Sequence, residues 1–93
     1  MIELNKFYTG ESVGWMKENI LDNFIDLTIT SPPYDDLRNY DGYVFDYKTI
    51  LGELYRVTKD GGIVVWVVGD KTHNGSETGT SFKQALYAKE VGF

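Results

Sequence analysis

Apolar and polar residues alternate from Ile25 to Thr30, reading Ile-Asp-Leu-Thr-Ile-Thr, rich in β-branched side chains. A period of two with that composition predicts a strand. The stretch Ile63-Val64-Val65-Trp66-Val67-Val68 is apolar at every position. It predicts a strand buried on both faces, as in the middle of a parallel sheet, ended by Gly69-Asp70. A shorter aromatic stretch, Lys6 to Thr9, is stopped by Gly10 and predicts a first strand. The period changes between these segments. Val13, Met16 and Ile20 share one helical face, which predicts a helix from Val13 to about Leu21 with Ser12 as its N-cap and Asp22-Asn23 as its exit. Tyr47, Ile50, Leu51, Leu54 and Val57 mark a second helix, capped by Asp46 and terminated by Gly61-Gly62, with Lys59 suited to its negative end. Phe82, Ala85 and Leu86 open a third, capped by Thr80 or Ser81 and closed by Gly92. Residues 35–46 and 71–80 read as loops.

Strand, helix, strand, helix, strand, helix is the order of an α/β domain with an open, mostly parallel sheet and flanking helices. A three-stranded sheet leaves its edges exposed. The pattern therefore predicts a piece of a longer protein, or a chain whose sheet a partner completes.

Bulk properties narrow the functions. The 93 residues make one small domain, and 42% apolar with 15% aromatic content permits a core. Without cysteine, disulfides and thiolate metal sites are excluded, and with one histidine a structural zinc site is not expected. No charged-then-apolar leader is visible, and the longest apolar run is too short to span a bilayer, so a cytoplasmic chain that does not enter the membrane is expected. The net charge of −5 argues against a surface built to grip phosphates, and the nine Lys and Arg are scattered.

Candidate chemistry concentrates just after the alternating strand, at Ser31-Pro32-Pro33-Tyr34. Two adjacent prolines cannot continue a helix or sit in the middle of a sheet ladder. They make a stiff exit that presents a hydroxyl, backbone carbonyls and an aromatic ring, a suitable pocket floor for a flat polar molecule. The same residues also fit a strand-ending diproline with an aromatic packed over it. Gly10-Glu11-Ser12 and Gly69-Asp70 follow the other two predicted strands, where open α/β sheets bind ligands. Glu11 suits a ligand contact or a helix N-terminus. Asp70 suits a pocket wall or, better, a cap on the strand exit. Arg38, Tyr40, Tyr43 and Phe45 suit a lid or a loop packed on the domain, and His73 reads as a solvated loop residue.

Asp26-Leu27-Thr28-Ile29-Thr30-Ser31-Pro32-Pro33-Tyr34 resembles motif IV of the amino-group DNA methyltransferases, which methylate cytosine N4 or adenine N6. The resemblance extends to Tyr8-Thr9-Gly10-Glu11-Ser12, to Leu37-Arg38-Asn39-Tyr40, to Leu54 through Asp70, and to Thr78 through Phe82 with Val91-Gly92-Phe93. It implies a Rossmann-like methyltransferase fold, S-adenosylmethionine as methyl donor, and DNA as partner with the target base flipped into a pocket. It implies a catalytic turn of Ser31, Pro32, Pro33 and Tyr34, with Glu11 and Ser31 on the donor side. Ser31 at a position where adenine enzymes more often carry Asp favours cytosine N4. Asn there would have suited relatives that methylate protein amides or RNA.

The family's donor-binding Phe-x-Gly-x-Gly stretch does not occur in these residues. In members whose motif IV comes first, it lies downstream of the target-recognition region. The expectation is an N-terminal catalytic part, inactive alone. A non-catalytic remnant or binding module that keeps the fold is the alternative.

Overall fold

The computed structural model describes residues 2–32, 46–69, 72–73, 76–77 and 79–93. Its centre is helix α2 (Tyr47–Val57), which supplies the buried apolar residues Leu51, Leu54 and Val57. They lie on the face that the sequence spacing marks. Each fully buried Leu or Val side chain contributes about 1.5–3 kcal/mol, so one helix face holds much of this small fold together.

Helix α1 (Ser12–Asn19) lies against α2, with Val13, Met16 and Ile20 half-buried as the spacing predicts. Its cap differs from expectation. Glu11, not Ser12, is the N-cap, and its Oε2 accepts the Gly14 N–H at 2.6 Å.

Arg56 closes the other end of this helix pair. Its Nη1 donates to the Ile20 carbonyl at 2.9 Å and to Asp22 Oδ1 at 2.7 Å. Its Nη2 donates to the Met16 carbonyl at 3.1 Å, and its guanidinium also pairs with the buried Glu53 carboxylate. The last carbonyls of a helix lack partners within it. Arg56 gives the Ile20 carbonyl a donor from α2 and adds a second donor to the Met16 carbonyl, which also accepts the Ile20 N–H.

Strand β1 (Ile25–Thr30) forms where predicted, and pairs in parallel with β2 (Thr58–Trp66), Thr28 facing Val64 and Thr30 facing Trp66. The start of β2 corrects the sequence reading. It follows α2 directly, and Gly61-Gly62 lies inside it instead of terminating the helix. Thr58 ends α2 by donating both its N–H and, at 2.6 Å, its hydroxyl to the Leu54 carbonyl. Between the Ile25–Thr58 and Leu27–Ile63 pairs the register shifts, and the extra residues of β2 bulge. Gly61 sits at φ +79°, and a Cβ on Gly62 would meet Thr58 Cγ2 at 2.6 Å and the Lys59 carbonyl at 2.9 Å. The two glycines are demanded by the bulge.

Helix α3 (Thr80–Val91) follows Gly79, which takes the N-cap place expected for Thr80 or Ser81, and ends at Gly92 as predicted. It packs on α2, and its buried Gln84 accepts the Trp66 indole N–H at 2.8 Å. Within the predicted 71–80 loop, β3 (Thr72–His73) and β4 (Ser76–Glu77) pair antiparallel.

Lys6 to Thr9 is not a strand. Tyr8 packs on Trp15 with ring centroids 4.7 Å apart, and its hydroxyl bonds both the N–H and the carbonyl of Glu3. These contacts fold the segment back on itself and on α1. The parallel sheet therefore has two strands among the described residues, not three. Nor is β2 buried on both faces. Val64, Trp66 and Val68 are half-buried on the face near α2 and α3, while Ile63, Val65 and Val67 are exposed.

Candidate active site

The carboxyl end of β1 delivers the sequence's sharpest motif. Past the last paired residues, the Val67 N–H donates to the Thr30 carbonyl at 2.9 Å. That bond holds the end of β1 beside the exit of β2. Ser31 comes next and is exposed; Pro32 after it is buried. A buried ring with a fixed φ fixes the direction of the chain here. Pro33 and Tyr34, and the aromatic loop 35–45, lie outside the described residues, as does Asp70.

The first turns of the helices lie toward the same end of the sheet. Helices α1 and α2 each run down into the start of the strand that follows, α1 through residues 20–24 and α2 without a break. Between those first turns is a cleft of about 430 Å³, lined by Glu11, Val13, Lys17, Asp46, Thr49 and Ile50 among others. Glu11 is exposed and holds the cap of α1. Asp46 caps α2 through the Thr49 N–H at 3.2 Å and accepts the Thr49 hydroxyl at 2.6 Å. These two bonds hold the Asp46 carboxyl below its ordinary value. The cleft thus offers two carboxylates and a lysine beside the apolar Val13 and Ile50.

Ser31 and Pro32 do not line this cleft. Strand and helix order set the two halves of the expected site, Ser31-Pro32 and Glu11, toward one end of the sheet, Glu11 on the α1–α2 cleft and Ser31-Pro32 at the exit of β1. A second cavity, of about 440 Å³, lies at the opposite end around Arg56, Lys59 and Gly61. Among the described residues no cluster of His, Cys, Asp and Glu could hold a metal ion. No described helix is long and apolar enough to cross a membrane.

Two positioning contacts were not read from the sequence. Arg56 sets the helix pair that frames the cleft. Its pairing with Glu53 has a local signal in the three-residue spacing; its reach to Ile20 and Asp22 has none. The Thr30–Val67 bond depends on strand register, which has no local signal.

The chain is similar to proteins of known type. A family model described as DNA methylase, covering N6 and N4 enzymes, matches residues 25–93. The orphan methyltransferase M.BamHII of Bacillus amyloliquefaciens is 74% identical over 78 residues, which is 84% of this chain and 29% of that protein. The type II methyltransferase M.BglII of Bacillus subtilis is 36% identical over 72 residues, 71% of this chain and 20% of that protein. The chain thus spans less than a third of the length of these curated relatives. No solved structure gives a significant match.

Proposed function

The chain belongs to the N6/N4 DNA methylase family, and from that premise we propose that it is the part of a DNA methyltransferase that holds the target base's exocyclic amine. One observation carries the proposal: exposed Ser31 next to buried Pro32, set at the carboxyl end of a parallel strand by the Thr30–Val67 bond. Open α/β sheets bind their ligands at that end.

The lone pair of an exocyclic amine is delocalised into the base, so the nitrogen is a poor nucleophile. Acceptors aimed at its N–H groups stabilise the positive charge that builds on it during attack. The Ser31 hydroxyl oxygen and the Pro32 carbonyl are those acceptors in this proposal. Pro33 keeps the turn stiff. The Tyr34 ring stacks on the flipped base, a contact type that contributes ~1–3 kcal/mol. S-adenosylmethionine, when bound, supplies a methyl group on a sulfonium. Glu11, beside the α1–α2 cleft, holds part of its adenosine, and Ser31, which does not line that cleft, meets the donor from the amine side. One Glu11 oxygen already serves the α1 cap, so the residue would orient the donor from a fixed position. Apolar Val13 and Ile50 beside a carboxylate suit an adenosine. Ser31 supports cytosine N4 over adenine N6 as the target.

With no Phe-x-Gly-x-Gly stretch in these 93 residues and a net charge of −5, the proposal assigns most donor binding and DNA gripping to further chain. The 93 residues alone are then inactive, and the whole works in a restriction–modification setting, a reading that the type II designation of M.BglII supports. The test is a chimaera in which this chain replaces the matched stretch of M.BamHII. Labelled methyl groups should pass to DNA, and nucleoside digestion should release N4-methylcytosine. N6-methyladenine would reverse the base assignment. Full activity of the 93 residues alone would overturn the division of labour.

A further inference from the structure

Helix α3 buries a polar residue. Gln84 is 3% exposed, while the apolar Phe82 and Leu86 of the same helix are exposed. A buried amide is costly unless it is hydrogen-bonded, and the Gln84 Oε1 accepts the Trp66 indole N–H at 2.8 Å. Trp66 is the last residue of β2 and faces Thr30 across the ladder. The next amide, that of Val67, donates to the Thr30 carbonyl, one residue before Ser31. An apolar cavity of about 320 Å³ lies beside the indole, bordered by Leu51, Val64, Val68 and Ala85 among others. Packing on that side therefore leaves the ring room to turn. The hydrogen bond is directional, and it fixes an orientation that the packing does not.

We propose that Gln84 is a positioning residue for methyl transfer. By holding the Trp66 indole it fixes the carboxyl end of β2, and with it the Thr30–Val67 bond and the place of the Ser31 hydroxyl. The inference rests on the amine-holding role of Ser31. Stability alone does not call for an amide here, because apolar groups of the same shape in place of a hydrogen-bonded pair serve a fold about equally well. What the pair adds is one defined geometry at the strand end that carries the motif. The other end of the two strands is held differently: the Phe24 N–H donates to the Val57 carbonyl at 2.8 Å. Gln84 is thus set to act on one end of the sheet.

The test uses the M.BamHII chimaera carrying Gln84→Met, Trp66→Phe, or both, with circular dichroism to establish that each variant is folded. Hydrogen exchange should speed by about tenfold at the Val67 amide in either single variant, the order expected for loss of one such bond, and stay unchanged at the Phe24 amide. A general loss of stability would speed both amides alike. Single-turnover methyl transfer should fall by about tenfold or more, since small displacements from a distant substitution have effects up to ~10². Donor and DNA affinities should be nearly unchanged. The double variant should be no slower than the slower single one, because both substitutions remove the same bond. Equal acceleration at Val67 and Phe24, additive losses in the double variant, or near-normal transfer in both single variants each overturns the inference. Ser31→Ala in the same chimaera separates the two readings. Slow transfer there with normal transfer in Gln84→Met overturns the role of Gln84 alone, whereas normal transfer in Ser31→Ala overturns the reading of Ser31 itself.

Discussion

The amide of Val67 donates to the carbonyl of Thr30 at 2.9 Å, one residue before Ser31. This places the last hydrogen bond of the ladder immediately below the proposed amine-binding hydroxyl. The position of Ser31 is therefore inherited from strand pairing, and strand pairing from the helices that pack on β2. Substitutions far from Ser31 should act on it through that chain of contacts.

Arg56 is the first such position. Replacing it by Ala leaves the Glu53 carboxylate buried without its cation and takes donors from the Met16 and Ile20 carbonyls. Urea unfolding should show a loss of about 2–4 kcal/mol, the usual effect of breaking a buried charged network. Arg56→Lys should recover little, because an ammonium cannot span acceptors on both helices as the planar fork does.

Gly62 tests the bulge. A Cβ there meets Thr58 Cγ2 and the Lys59 carbonyl inside contact distance. Gly62→Ala should cost about 1–3 kcal/mol by forcing the backbone to shift. Gly52, where a Cβ meets nothing within 4 Å and which is helical, should tolerate Ala or gain from it. Paired urea melts of the two variants decide this.

Asp46 gives the chain an acid-sensitive helix end. Its carboxyl is held below the ordinary value by the Thr49 hydroxyl and N–H. A depressed carboxyl binds protons more weakly folded than unfolded, so its contribution is fully present above about pH 4 and is lost as pH falls through the lowered value. Asp46→Asn should flatten that part of the pH–stability curve, measured by thermal melts from strongly acidic to near-neutral pH.

Much of this organisation was legible in the sequence because its signals are local. The alternation of Ile25–Thr30 gave β1, and the spacing of Leu51, Leu54 and Val57 gave the buried face of α2. Asp46 and Gly92 were readable as caps. The failures involve contacts between distant residues. Gly61-Gly62 looked like a helix stop, yet Ile25 across the bulge and Thr58 beside it make it a crowded strand. Lys6–Thr9 had strand composition, but Tyr8 found Trp15 and Glu3 instead of a neighbouring strand. The candidate site was legible as a motif at a strand end. The cleft that Glu11 lines was not, because it depends on how α1 and α2 pack.

The central claim is that Ser31 contacts the amine during methyl transfer. The direct measurement is single-turnover methyl transfer by the M.BamHII chimaera, with and without the substitution Ser31→Ala, with donor and DNA affinities measured alongside. Removing one preorganised polar contact at a developing charge costs about 10²–10³ in rate in comparable sites. The account predicts a loss of that size for Ser31→Ala with both affinities nearly unchanged. Transfer at a near-normal rate would contradict it.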